Sequence, residues 1–559
     1  MSTKNAQKEI RIFQPLDREK LKRFCSNKSI NALESSLSAL EHGRAVTPSF
    51  PLYGSTDISV VKRFLDLHVL KNSSVPQWMK DYELSRLEKF GPQGGHAPWK
   101  ELKEGFELYF TRPTACNASR EVVESLKRKY KKFMHPLMLS TAEVLPKLIR
   151  EGKILTRAAG WSTFDLKKSD KEAQRQAVTL ARNGDWKHGY AYVFSRFNKQ
   201  KKRIFMPMPF SSMIVQAQYY QPFLSAIQQS LLTEKSNSPF LFWADKVGLN
   251  NDKMLEILQE RVSKYPLDND EVYLFVQRDF EKMDTTMGSA QYEATVIPLM
   301  AAAFGLKENS NAYSNLVEVM KFTTTCPIIT PDGVTTLDHG TASGAEVTNG
   351  GETLGNEAYD EEVSQKTLAE CESMGIRVVI VYSVGNGDDG GSLFKLRKRD
   401  VPRFKDVYTK MANLVADQHG YRVQASKWLI SEYYGLYCQY MLWIEQGVLH
   451  QAYPAVLALN AIINPEKQYT KADWDKDYRD LDIITKLDTC HGSLYFHALV
   501  DYVDKGMRFR LLGRTETETK RILSKYDKWR SLQDPSEMFN KTLGDIHSSP
   551  TVKYLLSKR

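Results

Sequence analysis

The pattern of hydrophobic and polar residues divides the chain into helical flanks and a centre rich in strands. Residues 1–88 and the segment from about 430 to 559 are mostly helical in pattern. Between them, EVYLFVQ at 271–277 and IRVVIVYSV at 376–384 are apolar and β-branched, which is typical of buried strands. A short strand, SLFKL at 392–396, follows. A small strand core between long helical regions predicts an α+β fold with three lobes.

Positive charge is concentrated between these elements. A loop rich in glycine and proline, GPQGGHAPW at 91–99, precedes a basic helical stretch at 125–133 and a second basic run, SRFNKQKKRI, at 195–204. The whole chain has 77 Lys and Arg against 67 Asp and Glu, a net charge of +10. This excess suits a polyanionic partner, because cations that neutralise phosphates release counterions. Many basic proteins never bind nucleic acid, so charge alone does not decide.

The composition excludes several other classes of protein. No two of the six cysteines have CxxC spacing, which favours reduced thiols over a metal or redox site. The first residues contain no apolar stretch of signal-peptide length, and no run approaches the roughly 18 apolar residues that a membrane helix needs. We therefore expect a soluble, intracellular protein.

A candidate site lies in the turn GNGDDGG at 385–391, between two predicted strands. Its glycines permit the positive φ of a tight hairpin, which would hold Asp388 and Asp389 at the tip. Adjacent carboxylates repel each other, and a divalent cation such as Mg²⁺, which prefers oxygen ligands, would remove that repulsion. The alternative is an ordinary acidic turn.

A second pair of acids follows the first strand. Asp279 stands at its end, and Asp284 lies five residues on, near the start of a predicted helix at 285–305. Catalysis with two metal ions needs acids from separate elements around ions about 3.5–4 Å apart. A carboxylate at a strand end can share a metal with a hairpin on the neighbouring strand. Asp284 could instead be a helix N-cap.

A third segment, HGTASGAEVTN at 339–349, lies between the other two. Its Gly, Ser, Thr and Asn content predicts a loop that leads into a helix. Such a loop can offer hydroxyls and amides to a sugar and a phosphate backbone. A plain surface loop with a helix cap would have the same composition.

In this order the three segments resemble motifs A, B and C of viral RNA-dependent RNA polymerases, whose patterns are D-x4-D, S-G-x3-T-x3-N-x3-N and G-D-D. The first and third patterns are matched by the acids named above. One departure is Glu352, which stands where many members have Asn, although Asn349 directly follows the threonine. The second pattern is matched by Ser343, Gly344, Thr348 and Asn356.

The flanking segments extend the resemblance. The basic run resembles motif F, which lines the nucleotide entry path, and Arg203 is the best match to its triphosphate-contacting arginine. The alternative is a solvated basic turn. The residues concerned are Arg196, Lys199, Lys201, Lys202 and Arg203.

Two further segments follow the hairpin. GYRVQASK at 420–427 resembles motif D, in which a lysine, here Lys427, can protonate the leaving pyrophosphate. A lone lysine is also common on a solvated surface. SEYYG at 431–435 resembles motif E at the junction of palm and thumb.

The resemblance covers about residues 195–435 and implies a right-hand polymerase with a small antiparallel palm sheet and mostly helical fingers and thumb. Within the family the chain is most similar to polymerases of small double-stranded-RNA viruses, picobirnaviruses first and partitiviruses next. The expected divisions are an N-terminal extension bridging fingers and thumb at 1–90, fingers at 91–270, palm at 271–435 with part of 300–340 returning to the fingers, and thumb with C-terminal tail at 436–559.

The activity implied is template-directed RNA synthesis from NTPs. Asp279 and Asp388, supported by Asp389, would hold two Mg²⁺ ions, with Mn²⁺ able to replace them. Asp284 would accept a hydrogen bond from the ribose 2′-hydroxyl. Ser343, Gly344, Thr348 and Asn349 belong to the same nucleotide-binding set.

The resemblance also implies partners and a location. These are template and nascent RNA, NTPs and a viral capsid protein, with the chain a monomer in the virion interior and host cytoplasm. Two other readings remain open. A reverse transcriptase usually has an aromatic residue where this chain has Asp284, to block the 2′-hydroxyl. A non-catalytic RNA-binding or packaging protein of polymerase fold would not need its three metal-binding acids.

Overall fold

The apolar segments of the chain centre form antiparallel strands. The computed structural model describes residues 12–111, 115–133, 136–150, 158–233, 240–243, 251–466, 476–532 and 545–558. No helix within these ranges is both long and apolar enough to span a lipid bilayer. The strands in these ranges are β1 Ala191–Tyr192, β2 Phe194–Asn198, β3 Lys201–Phe205, β4 Glu271–Arg278, β5 Ile328–Thr330, β6 Gly333–Thr335, β7 Val378–Asn386, β8 Asp389–Arg397, β9 Ile430–Ser431, β10 Gly435–Tyr437, β11 Tyr440–Glu445 and β12 Val448–Ala452.

The central sheet has the order β7-β8-β4-β9, with every neighbouring pair antiparallel. β7 and β8 form a hairpin that continues to the pair Asn386 and Asp389, so that only Gly387 and Asp388 lie between the strands. β4 runs beside β8 until Arg278 pairs with Gly390. The predicted strands are therefore present, and β7 and β8 both extend further toward the turn than the apolar pattern alone indicated.

Side chains alternate between two buried faces of this sheet, as the period of two in a strand requires. Leu274 and Val276 of β4 pack in the core with the helices Thr348–Ser373 and Val401–His419. Tyr273 and Phe275 point the other way, toward the helix Asn251–Lys264 and the β10–β12 sheet. Burial on both faces explains why these strands are almost continuously apolar.

Helices make up most of the flanks, as the pattern predicted. Short 3-10 and π turns occur at Asp66–Leu70, Leu87–Lys89, Leu108–Phe110, Asp185–His188, Tyr292–Val296, Lys398–Asp400, Ala425–Lys427 and Ile546–Ser548. The α-helices are Arg18–Lys22, Asn27–His42, Ser59–Leu65, Gln77–Ser85, Trp99–Glu107, Arg120–Phe133, Thr141–Arg150, Lys171–Asn183, Phe210–Thr233, Asn251–Lys264, Met283–Thr286, Ser289–Gln291, Ile297–Ala303, Asn311–Thr325, Thr348–Ser373, Val401–His419, Ala455–Ile463, Lys476–Asp488, Phe496–Gly506, Glu516–Ser524, Tyr526–Leu532 and Pro550–Ser557.

The helix predicted at 285–305 differs from the observed one. A single turn, Met283–Thr286, ends at Met287, and a new helical run starts at Ser289. The Thr341 hydroxyl donates to the Met287 carbonyl at 2.8 Å, which satisfies an oxygen that a continuous helix would have used. The Gly288 N–H donates to the side chain of Gln291 at 2.9 Å and begins the second helix. A contact from a distant loop thus decides the break.

The N-terminal residues belong to two separate cores. Phe64 and Met79 pack with the C-terminal helices Ala455–Ile463 and Phe496–Gly506. Leu21, Ile30 and Leu33 pack instead with Trp161, Tyr192 and Ile329. The first part of the chain therefore contacts both the C-terminal helices and the region around β1 and β5.

Candidate active site

Three of the acids meet at one edge of the central sheet. Because Arg278 pairs with Gly390, Asp279 directly follows β4 beside Asp389, and Asp388 occupies the hairpin turn. Opposed Cα atoms in an antiparallel pair lie about 4.5–5.5 Å apart. Gly387 has a φ of 61°, which is the left-handed conformation that the turn needs. Residues more than a hundred positions apart thus place their carboxylates in one cluster.

The hairpin tip is fixed by the long helix Thr348–Ser373. The Asn356 amide donates to the carbonyl of Gly387 at 3.0 Å and to that of Asp389 at 3.2 Å. The Gly387 N–H donates to the Thr353 hydroxyl at 2.8 Å. This helix therefore determines where the two turn acids lie.

A buried ion pair beneath the acids was missed by the sequence analysis. Arg278 Nη1 lies 2.7 Å from Asp360 Oδ1, and both side chains are fully buried. The guanidinium also donates to Ser392 Oγ at 2.5 Å and to the Val384 carbonyl at 3.1 Å. A Cβ at Gly390 would lie 2.6 Å from this guanidinium, so only glycine fits beside it. These contacts tie β4, β7 and β8 together directly below the carboxylates.

Burial and repulsion between neighbouring acids disfavour the ionised form of the clustered carboxyl groups. Burial raises the pKa of Asp389 to about 7, and repulsion from Asp388 and Asp279 adds to the shift. Burial and then the charge of Asp388 raise the pKa of Asp279, while burial and then Asp284 raise that of Asp388. Asp279 and Asp388 nevertheless reach solvent. The carboxylates therefore lie in a site, called the acid cavity below, that is open to water.

Asp284 lies at the same cavity but has its own partners. Its Oδ2 accepts a hydrogen bond from the Tyr109 hydroxyl, and its Oδ1 accepts from the Thr285 N–H at 3.0 Å. Burial raises the pKa of Asp284, whereas the hydrogen bond from Tyr109 lowers it. Glu352 is a close neighbour: burial, Asp388 and Asp284 hold its pKa well above the ordinary value. Tyr109 was not identified from the sequence.

The hydroxyls of the glycine-rich segment at the start of helix Thr348–Ser373 form hydrogen bonds within the protein. Ser343 Oγ accepts from the Met206 N–H at 3.3 Å, and the Thr348 hydroxyl donates to the Ala342 carbonyl at 2.6 Å. A Cβ at Gly344 would lie 2.5 Å from the Met206 carbonyl oxygen, so the loop can approach β3 only with glycine there. Asn349 faces the hairpin tip, with its Nδ2 3.0 Å from the Cβ position of Gly387. Asn349, in the first turn of the helix, thus lies beside the turn that carries Asp388.

The basic run forms the hairpin β2–β3. Lys199 and Gln200 both have positive φ, which is the two-residue turn that suits a twisted hairpin. Arg196, Lys201 and Arg203 share one face of this hairpin, because directly opposed residues point to the same side. Lys202 points to the other face and pairs with Glu101 at 2.7 Å.

The cations of the hairpin divide between the acids and other partners. Arg203 acts to lower the pKa of Asp284, Asp388 and Asp389. Lys201, together with Lys89, does the same for Asp279. Arg196 instead forms an ion pair with Glu466 at 2.7 Å.

The hairpin tip meets a second hairpin from the C-terminal part of the chain. Lys199 Nζ donates to Gln439 Oε1 at 2.7 Å, and Gln439 lies in the turn between β10 and β11. Burial lowers the pKa of Lys199 to about 8, and the nearby cations Lys89 and Arg203 add to that shift. The neighbouring Gln200 donates to the Phe90 carbonyl at 2.9 Å. The tips of the two hairpins are thus joined by a direct hydrogen bond.

Lys427 ends a short turn, Ala425–Lys427, but its side chain lies outside the described residues. The next residue, Trp428, donates from Nε1 to the Asp279 carbonyl at 2.9 Å. This contact brings the backbone after Lys427 close to the end of β4.

The carboxylate oxygens of the acid cluster are suitable ligands for divalent cations. In the described ranges, no group of three or more His, Cys, Asp or Glu side chains is already arranged as a metal-binding set. The acids are nevertheless hard oxygen donors from two elements of the sheet, which Mg²⁺ prefers. Their raised pKa values arise partly from mutual repulsion, which a bound cation offsets. The residues present therefore match the chemistry of such ions.

The chain has the α+β fold of a viral RNA-dependent RNA polymerase along its full length. It is similar to the crystal structure of the RNA-dependent RNA polymerase of a human picobirnavirus, with a TM-score of 0.74 and 16% sequence identity over 98% of this chain and 100% of that chain. The chain is also similar to the crystal structure of the insertion loop deletion mutant of the RNA-dependent RNA polymerase of a human picobirnavirus. The TM-score is 0.70 and the sequence identity is 15%, over 98% of this chain and 100% of that chain. No protein-family model and no curated protein sequence matches the chain. The predicted resemblance and fold class are confirmed at the level of the fold.

Proposed function

We propose that this chain is an RNA-directed RNA polymerase that copies a viral RNA template by nucleotidyl transfer from NTPs to an RNA 3′-hydroxyl. The observation that carries the proposal is the meeting of Asp279, Asp388 and Asp389 at one sheet edge of a polymerase fold. Repulsion contributes to the raised pKa of Asp279 and Asp389, and the metal ions that a polymerase binds between such acids would offset it. Lys199, Lys201 and Arg203 of the basic hairpin act to lower the pKa of these acids, which supports their proximity.

Asp279, Asp388 and Asp389 would hold two Mg²⁺ ions, or Mn²⁺ in their place. These ions supply activation of the 3′-hydroxyl and neutralisation of the leaving pyrophosphate. The chain itself binds and orients the nucleotide. Arg203 and Lys201 act to lower the pKa of the clustered acids and would bind the triphosphate. Lys199, at the hairpin tip, would bind it with them.

Sugar recognition is assigned to Asp284 and Asn349. Asp284 would accept a hydrogen bond from the ribose 2′-hydroxyl, which would favour NTPs over dNTPs. Ser343, Gly344 and Thr348 would act by holding the loop that leads into the helix carrying Asn349, as their contacts indicate. Lys427 would donate a proton to the pyrophosphate.

The proposed division of the chain follows the polymerase fold. Residues 1–90 would bridge fingers and thumb, which is supported by their packing in two separate cores. The fingers would comprise 91–270, the palm 271–435 with part of 300–340 returning to the fingers, and the thumb 436–559. The partners proposed are template RNA, nascent RNA, NTPs and a capsid protein, with the monomer acting in the virion and host cytoplasm.

The test is RNA synthesis on a defined single-stranded RNA with NTPs and Mg²⁺, with and without a primer. We expect Asp388→Ala to lower synthesis by at least about 10²–10³-fold, the scale on which one stabilising group acts in a transition state. Asp406→Asn serves as the control, because Asp406 is an exposed acid on the helix Val401–His419. Near-normal synthesis by Asp388→Ala, or none by the unaltered chain, would overturn the proposal.

A further inference from the structure

Asp284 is held by a residue from a distant part of the chain. Tyr109 lies 175 positions earlier, and its hydroxyl donates to Asp284 Oδ2. Its side chain is only 3% exposed and contacts Phe106 in the core. The residue stands in the short turn Leu108–Phe110, which directly follows the helix Trp99–Glu107.

The backbones around this hydrogen bond are also joined. The Gly340 N–H donates to the Tyr109 carbonyl at 2.8 Å, and the Thr341 N–H donates to the Asp284 carbonyl at 2.8 Å. A Cβ at Gly340 would lie 2.3 Å from the same Asp284 carbonyl oxygen. Three segments of the chain are therefore packed so closely that the Tyr109 hydroxyl has a fixed position relative to Asp284.

Asp284 lies close to other acids and also to the cations Arg203 and Lys282, which act to lower its pKa. The Asp284 carboxylate acts on both Asp388 and Glu352, raising the pKa of each in addition to burial. An ionised carboxylate has about four acceptor positions, so the bonds from Tyr109 and Thr285 leave capacity for a further hydroxyl.

We propose that Tyr109 is a positioning residue for sugar selection, whose hydroxyl fixes Asp284 in the orientation that accepts the ribose 2′-hydroxyl. This inference rests on the proposed function. A substrate without a 2′-hydroxyl makes no use of that orientation. Loss of the Tyr109 hydroxyl therefore weakens selection between the two sugars rather than nucleotide use in general.

A merely structural role for Tyr109 gives a different result. If the tyrosine only supported the turn Leu108–Phe110, its loss would impair NTPs and dNTPs alike. Tyr109→Phe keeps the ring and removes only the hydroxyl. Tyr495→Phe is a matched control, because the Tyr495 hydroxyl also donates to a buried carboxylate, that of Glu83, in the other large core.

The first measurement is equilibrium binding of ATP and 2′-deoxyATP to the full chain carrying an RNA primer–template with a 3′-deoxy end. The 3′-deoxy end prevents incorporation, so binding is read without catalysis. We expect Tyr109→Phe to reduce the preference for ATP about tenfold, the effect of one hydrogen bond to a charged group. Tyr495→Phe should keep the preference of the unaltered chain. An unchanged preference in Tyr109→Phe would overturn the inference.

The second measurement tests whether Tyr109 and Asp284 act together. In an Asp284→Asn background, Tyr109→Phe should change the ratio of ATP to 2′-deoxyATP affinity no further, because both changes remove the same function. Additive effects would show that Tyr109 acts independently of Asp284. Synthesis by the unaltered chain is assayed separately, so failure of the polymerase proposal remains distinguishable from failure of the role of Tyr109.

Discussion

Glu83 and the acid cluster at the β7–β8 hairpin have contrasting surroundings. Glu83 joins the N-terminal helices to the C-terminal ones and accepts hydrogen bonds from the Ala455 N–H at 2.7 Å, from the Val456 N–H at 3.0 Å and from the Tyr495 hydroxyl. The first two donors begin the helix Ala455–Ile463, whose dipole also favours a negative charge there. Burial raises the pKa of Glu83, and the three hydrogen bonds act to lower it.

The acids at the hairpin lack such an environment. Asp388 raises the pKa of Asp279, and both raise that of Asp389; the cations that act against these shifts lie on the hairpin β2–β3 and at Lys89. A carboxylate surrounded by protein donors is part of the scaffold. Carboxylates that meet mainly one another are suited to an external cation. The comparison separates structural acids from those proposed for chemistry.

The largest effect is expected from Asp279→Asn. RNA synthesis should fall about 10²–10³-fold, because a metal-binding group is lost. The free energy of unfolding in metal-free buffer should stay the same or rise, since one repelling charge is removed from the cluster. Synthesis is measured on primed RNA and unfolding by denaturant titration. A large drop in stability with retained synthesis would reverse the assignment of these acids.

Glu83→Ala should show the opposite behaviour. Removing the carboxylate leaves two backbone N–H groups and a tyrosine hydroxyl unpaired in the core, which should lower the free energy of unfolding by about 3 kcal/mol. Synthesis per folded molecule should be kept at low temperature. Glu88→Ala, an exposed neighbour on the turn Leu87–Lys89, is the control and should leave stability unchanged. Equal stability of the two variants would contradict the structural role of Glu83.

Asp480 is a buried acid of a third kind, and its substitution should have a smaller effect on the free energy of unfolding. It is fully buried, and neither carboxylate oxygen has a hydrogen-bond partner within the described ranges. Burial raises the pKa of Asp480 to about 7, so the folded state binds its proton more tightly than the unfolded state does. The stability it contributes is present below the unfolded pKa, near 4, and is lost as pH rises toward 7.

The variant Asp480→Asn therefore should be more stable than the unaltered chain at pH 8, by about 1–3 kcal/mol, and no more stable at pH 4. Unfolding midpoints across this pH range provide the measurement. A constant difference between the two proteins at all pH values would mean that Asp480 does not titrate in the folded state.

Much of the fold and part of the candidate site were readable from the sequence. The apolar runs that became β4, β7 and β8 were identified because buried strands are set by local composition. The turn between β7 and β8 was equally local, since its glycines allow the positive φ of Gly387. The helix predicted at 285–305 was wrong at its start, because the Thr341 hydroxyl and the Gly288 cap interrupt it there and neither is visible as periodicity.

The sequence by itself determined the strands, the turn and the kinds of acid and base that they carry, because spacing within a few residues fixes these. Only the tertiary structure decided which side chains meet. Arg278 pairs with Asp360, Tyr109 with Asp284 and Lys199 with Gln439, across separations of up to 240 residues. Such contacts leave no local signal, because they depend on how whole elements pack rather than on the neighbours of either residue in the chain.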